Sequence, residues 1–284
     1  MTSVLMSRPY ALKPTTQRRS SVTVRATSLV SPPPPAFPAP TARPSPASRE
    51  LVQLSTVDDT TCMAAAEAWG RGMHADPLLT WLTGGSCPDR VSRFFGALAA
   101  MLLRARGDRS GSWMLRLRET EQAAEQEEGS APSPSPSGPI AAVCIGFEYP
   151  RAYPSDWQML MAGLLGVVAA APSLSALPVF LSMVSTFEAR KAEFKKAHGP
   201  FYYIACFGTV PESQGQGLGS ELLQKALQRA DQLGIPSYLE ANGAASAAFY
   251  RRHGFQDLEE LAAAPGAPCV VRMARWPRGG AGGQ

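Results

Sequence analysis

The sequence predicts an α/β (α+β) domain built on one central mixed sheet of about six or seven strands flanked by helices. Three observations predict it. Short apolar runs of strand character, clearest in FYYIACFGT at Phe201–Thr209, are interspersed with runs whose apolar residues recur at helical spacing. The two kinds of run follow each other without regular alternation, as a mixed sheet requires. A chain of 284 residues, 45% hydrophobic, has room for one good-sized domain plus tails.

In order, Leu51–Val57 alternates as a first strand. Thr60–Gly72 follows as a helix, with Asp58, Asp59 and Thr60 as available caps. Asp76-Pro77 opens a helical turn through Trp81. Val91–Arg106 carries Val91, Phe94, Phe95, Leu98, Met101 and Leu102 at helical spacing. Trp113–Leu117 and Ile140–Phe147 read as strands, separated by an acidic and then Ser/Pro-rich stretch at 119–138 that can form no core and reads as a disordered loop. Residues 155–184 are expected to form two apolar helices, and Glu188–His198 continues as a charged one. Phe201–Thr209 is the best-defined strand. Gly217–Leu233 is a helix with an apolar stripe at Leu218, Leu222, Leu223, Ala226, Leu227 and Ala230, stopped by Gly234 and Pro236. A strand at Ser237–Glu240, a helix at Ala244–Arg252 and strands at Phe255–Leu258 and Pro268–Ala274 complete the domain, which is expected to span 50–276. A flexible Gly-rich tail is expected at 277–284.

Charge is unevenly spread. Residues 1–49 carry seven Lys/Arg and no Asp or Glu, and the remaining 235 residues carry 20 bases against 23 acids. The domain is therefore mildly acidic, which argues against a nucleic-acid-binding function. The leader is basic, hydroxylated and proline-rich, with PPPPAFPAP at 32–40 and no continuous apolar h-region. That is the composition of a disordered transit peptide, plastid ahead of mitochondrion, with the cytoplasm as the destination if the leader carries no address. SVTVRATS at 21–28 resembles a plastid processing region. The five cysteines (Cys62, Cys87, Cys144, Cys206, Cys269) contain no CxxC pair, so neither a zinc ribbon nor a disulfide framework is indicated, and no metal is expected. Between Asp156 and Glu188 no residue is charged, but Gly163, Gly166, Pro172 and Pro178 interrupt the run and Met159–Ala171 is too short to span a bilayer.

The stretch with most chemical content is VPESQGQGLGSEL at Val210–Leu222. Three alternating glycines between an apolar run and an amphipathic run expose successive backbone N–H groups and end at a helix N-terminus, which together receive phosphate oxygens. A P-loop requires Gly-Lys-Ser/Thr, which is absent. A dinucleotide fingerprint requires GxGxxG. Here the third glycine comes one position early and Ser220 stands in its place, although Glu240 lies at about the distance of a ribose-binding acid.

Gln214, Gly217 and Gly219 fill the pattern Gln/Arg-x-x-Gly-x-Gly/Ala, and the segment resembles the acetyl-CoA loop of the GNAT superfamily of N-acetyltransferases. YLEANGAASAAFYRRHGF at 238–255 resembles that family's following strand–helix–strand segment, so the likeness covers Thr209–Phe255. It implies a GNAT-like domain with inserts at 119–138 and 155–198. It also implies acetyl-CoA as co-substrate, held by Gln214, Gly215, Gln216, Gly217, Leu218, Gly219 and Ser220, with Phe207 to Val210 pairing to the pantetheine arm. Tyr250 stands where the family places the proton donor to the leaving thiolate. A phenol stays protonated at neutral pH and suits that role.

An amine attacks only as the free base, so a proton acceptor is needed. Glu240 is the first candidate; His198 and Glu212 are alternatives. The sequence departs from the family at Gly243, where an Asn commonly contacts pantetheine; Asn242, one step earlier, is the available substitute. The expected activity is acetyl transfer to a primary amine, of a small molecule or of a protein N-terminus or lysine, by direct attack in a ternary complex, with no cysteine placed as an acyl carrier. A non-catalytic acetyl-CoA-binding module and a membrane-associated protein built around 155–184 are the rival readings. The amine is unspecified, and the 155–198 insert is expected to choose it.

Overall fold

The computed structural model describes residues 49–278, apart from 83, 86–87, 106–108, 110, 118–137, 172–176 and 263–265. The leader except for Arg49, the low-complexity insert except for Gly138, Cys87 and the end of the C-terminal tail lie outside the described residues.

Seven strands form one sheet: β1 (Arg49–Gln53), β2 (Trp113–Leu117), β3 (Ile140–Tyr149), β4 (Phe201–Thr209), β5 (Ser237–Asn242), β6 (Gln256–Ala262) and β7 (Cys269–Arg275), in spatial order β1-β2-β3-β4-β5-β7-β6. All neighbours are antiparallel except β4 and β5. The first strand starts two residues before the expected one and gives way at Leu54 to a 3₁₀ turn. There the buried Leu54 drops into the core and its amide donates to the Ser112 carbonyl.

The helices cover both faces. On one side lie α1 (Asp59–Gly72), α3 (Pro88–Ala105), α5 (Leu165–Ala170) and α6 (Leu177–His198), packed through Trp69, Phe94, Phe95, Val167 and Phe194. On the other lie α7 (Leu218–Leu233) and α8 (Gly243–Arg252). Asp58 caps α1 by accepting from the Thr61 amide at 2.8 Å. The six residues expected to form the α7 stripe are all buried, and Gly234 ends the helix in the left-handed region at φ 64°. Burying four leucines there contributes about 6–12 kcal/mol before chain entropy is subtracted. Arg275 of β7 clamps α7 through two hydrogen bonds to Asp231, each 2.9 Å.

The helical insert differs from expectation. There α4 (Asp156–Met159) runs through a π turn at Leu160–Leu164 into α5, whereas the short α2 (Pro77–Leu82) lies where a helical turn was expected. Gly163, at φ 122°, makes the π turn possible. The charged segment 188–198 is not a separate helix. It is the C-terminal half of α6, which starts at Leu177, so that Pro178 sits in the first turn, where a missing N–H costs nothing. No helix among the described residues is long and apolar enough to cross a membrane.

Candidate active site

Two features of β4 shape the site. First, its pairing to β5 is confined to Tyr202↔Ser237 and Tyr203↔Tyr238; beyond them the two strands part. Second, the register against β3 slips between Ile145 and Gly146, leaving Ala205 as an extra residue. Such a bulge bends a strand and re-aims its side chains. After it, Cys206 joins the α1/α3 face and Phe207 the α7/α8 face. Nothing in the sequence FYYIACFGT marks either feature, because both depend on the partner strands.

The gap between the strands opens into a cavity of about 880 Å³. Ile204–Thr209 of β4 and Glu240–Asn242 of β5 form its flanks, and α1, α3, α5 and α6 its walls. Gln214 and Gly219 of the glycine loop, and Ser246, Phe249 and Tyr250 of α8, reach it as well.

The loop has the geometry its glycines suggested. Gly215 and Gly217 adopt φ 74° and 80°, in the left-handed region, with nothing within 4 Å of an added Cβ. None of the six amides from Gly215 to Ser220 meets an acceptor among the described residues. The amide of Glu221, next in line, returns to the Gly217 carbonyl at 3.1 Å. α7 therefore presents its unpaired N–H groups and the positive end of its dipole at the loop. Side chains brace the loop from behind. Gln214 Nε2 donates to the Thr209 carbonyl at 3.1 Å, and Gln216 Nε2 to the Glu212 carbonyl at 3.1 Å. Ser220 Oγ lies 3.1 Å from His253 Nε2, tying α7 to the end of α8. Gly219 has a different role: a Cβ there would stand 2.9 Å from Thr209 Oγ1, so glycine lets the helix start close against β4.

The other predicted residues are placed unequally. Leu218 is fully buried, which leaves its amide as its only polar contribution at the loop. Val210 is buried, its amide donates to Ala141 and its carbonyl accepts from Ser213, so its backbone is already engaged. Phe207 faces α8, stacked on Phe249 at 5.6 Å. Asn242 lines the cavity and makes no capping bond to α8. Gly243 now has a reason: it sits at φ 79°, and a Cβ would approach Pro77 Cγ to 3.2 Å. The packing of α2 there disfavours the asparagine that the family commonly carries.

Tyr250 is buried among Phe207, Phe249 and Phe255, with ring centroids 5.2–6.0 Å apart. Burial, then the nearby thiols of Cys144 and Cys206, push its phenol above the ordinary range, so it remains protonated. Glu240 also lies in the cavity wall, with Oε1 buried and without a hydrogen-bond partner. Burial raises its pKa, opposed chiefly by the Lys191 ammonium and more weakly by the hydroxyls of Tyr203 and Tyr238. The two alternatives are elsewhere. His198 is exposed and packs against Phe194 and Trp276. Glu212 points to solvent, 3.8 Å from Arg71. Neither lines the cavity.

The sequence reading missed a polar cluster beside Glu240. Lys191 of α6 is 1% exposed. Its ammonium donates to Glu188 at 2.6 Å and to the Tyr153 hydroxyl at 3.0 Å, and lies 4.2 Å from the centroids of both Tyr153 and Tyr203. Tyr153 in turn donates to Glu188 at 2.9 Å. A lysine in a charged helix looks solvated in sequence. Only the docking of α6 over β4 buries it. Cys206 also lines the cavity, where no cysteine was expected; burial raises its thiol and keeps it a poor nucleophile. Among the described residues no group of three His, Cys, Asp or Glu is placed to hold a metal.

Comparison with known proteins agrees with this geometry. Residues 166–255 match the model of the acetyltransferase (GNAT) family, covering the glycine loop, β5 and α8. The C-terminal condensation domain of Ebony, solved with beta-alanyl-dopamine, superposes with a TM-score of 0.52 at 10% identity, over 80% of this chain and 98% of that one. A structure from the yellow fever mosquito assigned as arylalkylamine N-acetyltransferase 7 gives 0.51 at 14% identity, over 80% and 93%. An agmatine N-acetyltransferase in its apo form gives 0.48 at 13% identity, over 81% and 99%. At such identities the first two likenesses show the fold alone. Residues 166–255, which hold the glycine loop at a helix N-terminus and the parted strands β4 and β5, are thus similar to the GNAT family of acetyltransferases.

Proposed function

We propose that the protein transfers an acetyl group from acetyl-CoA to a primary amine by direct attack. The observation that carries the reading is the row of six amides, Gly215 to Ser220, that meet no acceptor among the described residues at the start of α7. They suit a diphosphate: left-handed glycines aim successive N–H groups outward without side chains in the way, and the helix adds about half a positive charge. The edge of β4 freed by the parting from β5, with Phe207 beside it, suits the amide-bearing pantetheine arm, and Asn242 is the side chain best placed on the opposite flank. Acetyl-CoA supplies the acyl group as a thioester.

Around that group, Glu240 takes the proton that the attacking amine gives up as its C–N bond forms. Its raised pKa brings it nearer neutrality, where a general base works best. As the C–S bond breaks, Tyr250 directs its hydroxyl proton to the departing sulfur, in surroundings from which Phe207, Phe249 and Phe255 exclude water. Tyr250 then regains a proton from solvent. Cys206 stays out of the reaction because its buried thiol does not ionise near neutral pH.

Calorimetric titration with acetyl-CoA, followed by thiol release in the presence of amines, tests the reading. Binding with a 1:1 stoichiometry and amine-dependent release of coenzyme A is the expected result. Absence of binding by folded protein at millimolar ligand overturns it, and binding without turnover across a broad amine panel favours a sensor instead.

A further inference from the structure

Beyond the cavity, the end of α8 gathers basic side chains that the proposed chemistry does not use. We infer that Arg252, His253 and Arg278 form a second anion site, beside the glycine loop, for the phosphomonoester that coenzyme A carries on the ribose next to its diphosphate. The inference rests on the transferase reading above and adds what the protein reads at the far end of the donor. A free coenzyme A ester fills this site, whereas a pantetheine thioester carried on a protein has no such phosphate.

The three residues are placed by two segments. His253 follows the last turn of α8, and its Nε2 lies 3.1 Å from Oγ of Ser220, the last residue in the row of six amides. Phe249, Arg252 and His253 stand at i, i+3 and i+4 and so share one face of the helix. On that face the Phe249 ring reaches the cavity, with the His253 ring 4.8 Å and the Arg252 guanidinium 5.8 Å from its centroid. Arg278 arrives from the segment after β7. Its backbone N–H donates to Asp231 at 2.8 Å, and its Nη2 would stand 3.4 Å from a Cβ on Gly254, the residue after His253.

What sets these groups apart is the lack of carboxylates. The neighbouring arginines are paired: Arg251 with Asp257, Arg272 with Glu259 and Arg275 with Asp231. The guanidinium groups of Arg252 and Arg278, both at exposed positions, form no ion pair among the described residues. The groups that face His253 are Ser220 of α7, Phe249 and Arg252 of α8, Arg275 of β7 and Arg278. Burial, then the positive charges of Arg252, Arg278 and Arg275, hold its imidazole below the ordinary histidine range. The dipole of α8 accounts for cations in its last turn. It does not account for Arg278, which belongs to another segment, or for the turn of the His253 ring toward Ser220. A phosphate dianion satisfies all three residues at once. Its oxygens suit two planar guanidinium groups, and its charge draws onto His253 the proton that the arginines otherwise repel. In coenzyme A that phosphate sits on the ribose that the diphosphate esterifies, so a diphosphate at the glycine loop leaves it a few bonds from Ser220.

Dephospho-coenzyme A keeps the diphosphate and lacks the phosphomonoester, so the pair of ligands isolates the proposed site. Both are titrated into the full chain by calorimetry, and the histidine ring signals are followed by NMR across pH with each ligand and with none. The chain has three histidines, and His253→Gln identifies the signal of interest by its loss. Coenzyme A is expected to bind at least about tenfold more tightly than dephospho-coenzyme A. It is also expected to raise the pKa of His253 by about one pH unit, and dephospho-coenzyme A by less than about half of that. Arg252→Gln and Arg278→Gln should each cut the preference to about threefold, and the double variant should abolish it. Equal affinity of the two ligands for the parent protein, a His253 titration that coenzyme A leaves unmoved, or a preference that survives in the double variant overturns the inference and leaves the transferase reading intact. Preference and titration shift without amine-dependent release of coenzyme A keep the anion site and sink the transferase reading. Failure of both ligands to bind sinks the two together.

Discussion

Replacing Gly219 by alanine tests whether the start of α7 is held where phosphate recognition needs it. Two effects compete. Alanine is a better helix former than glycine by up to about 1 kcal/mol, so an unobstructed site would gain stability. Here the new Cβ stands 2.9 Å from Thr209 Oγ1, well inside ordinary contact, with the Phe207 ring at 3.7 Å behind it. Overpacking of that kind costs about 1–3 kcal/mol, so the clash outweighs the propensity and the net loss is about 1 kcal/mol, or a Tm lower by about 2–4 °C. Relief by moving the helix away from β4 also displaces the amides of residues 218–220, so acetyl-CoA binding is expected to weaken about tenfold. Thr209→Ala removes the obstructing oxygen while leaving intact the carbonyl that receives Gln214 Nε2. In that background Gly219→Ala should be neutral or stabilising and should bind acetyl-CoA nearly normally. Gly217→Ala provides the contrast, because its φ of 80° strains any L-residue in open space and Thr209→Ala cannot relieve it. Thermal denaturation and calorimetric titration of the four combinations of Gly219 and Thr209 decide the matter. An equal cost of Gly219→Ala in both backgrounds refutes the argument.

Three further outcomes follow from the site. Tyr250→Phe should lower kcat by about 10²–10³ while acetyl-CoA affinity, read by calorimetry, stays within about twofold; unchanged turnover removes its role as proton donor. Glu240→Gln should lower kcat by about 10²–10⁴ and abolish the acid limb of the pH–rate profile, which in the parent lies above the usual carboxylate range because burial raises this pKa. A raised carboxylate pKa means that the folded state holds its proton more tightly than the unfolded one, so this group's contribution to stability falls as pH rises. Glu240→Gln should therefore lose activity at neutral pH without lowering Tm. Lys191→Met removes the cation that opposes the rise, and Glu188→Gln removes an anion that adds to it. The acid limb should move to higher pH in the first variant and to lower pH in the second, whereas a purely structural role for either leaves its position unchanged.

Much of the fold was legible in the sequence because it is written in local pattern. The α7 stripe needs no partner to be recognised, since apolar residues at helical spacing must bury one face whatever they meet. The glycine loop is legible for a similar reason. Left-handed backbone at Gly215 and Gly217 and close approach at Gly219 are demands that one residue type meets, so the residue type reveals the demand. Tyr250 and Glu240 were proposed from their position relative to that loop, and both line the cavity beside it.

What the pattern left open is set by distant neighbours. The parting of β4 from β5 after Tyr203, and the slip that makes Ala205 an extra residue, are features of how β4 pairs with β3 and β5, strands distant from it in sequence. Burial of Lys191 against Tyr153 and Tyr203 requires α6 to lie across β4, and a lysine among charged residues carries no local sign of it. By itself the sequence determined a mixed α/β domain with a glycine loop at a helix N-terminus. The tertiary structure alone decided that the space beside the loop is lined by apolar side chains together with Asp76, Asp156, Glu188, Lys191 and Glu240, because that lining is assembled from helices and strands separated by up to well over a hundred residues, whose side chains meet only after the sheet has formed.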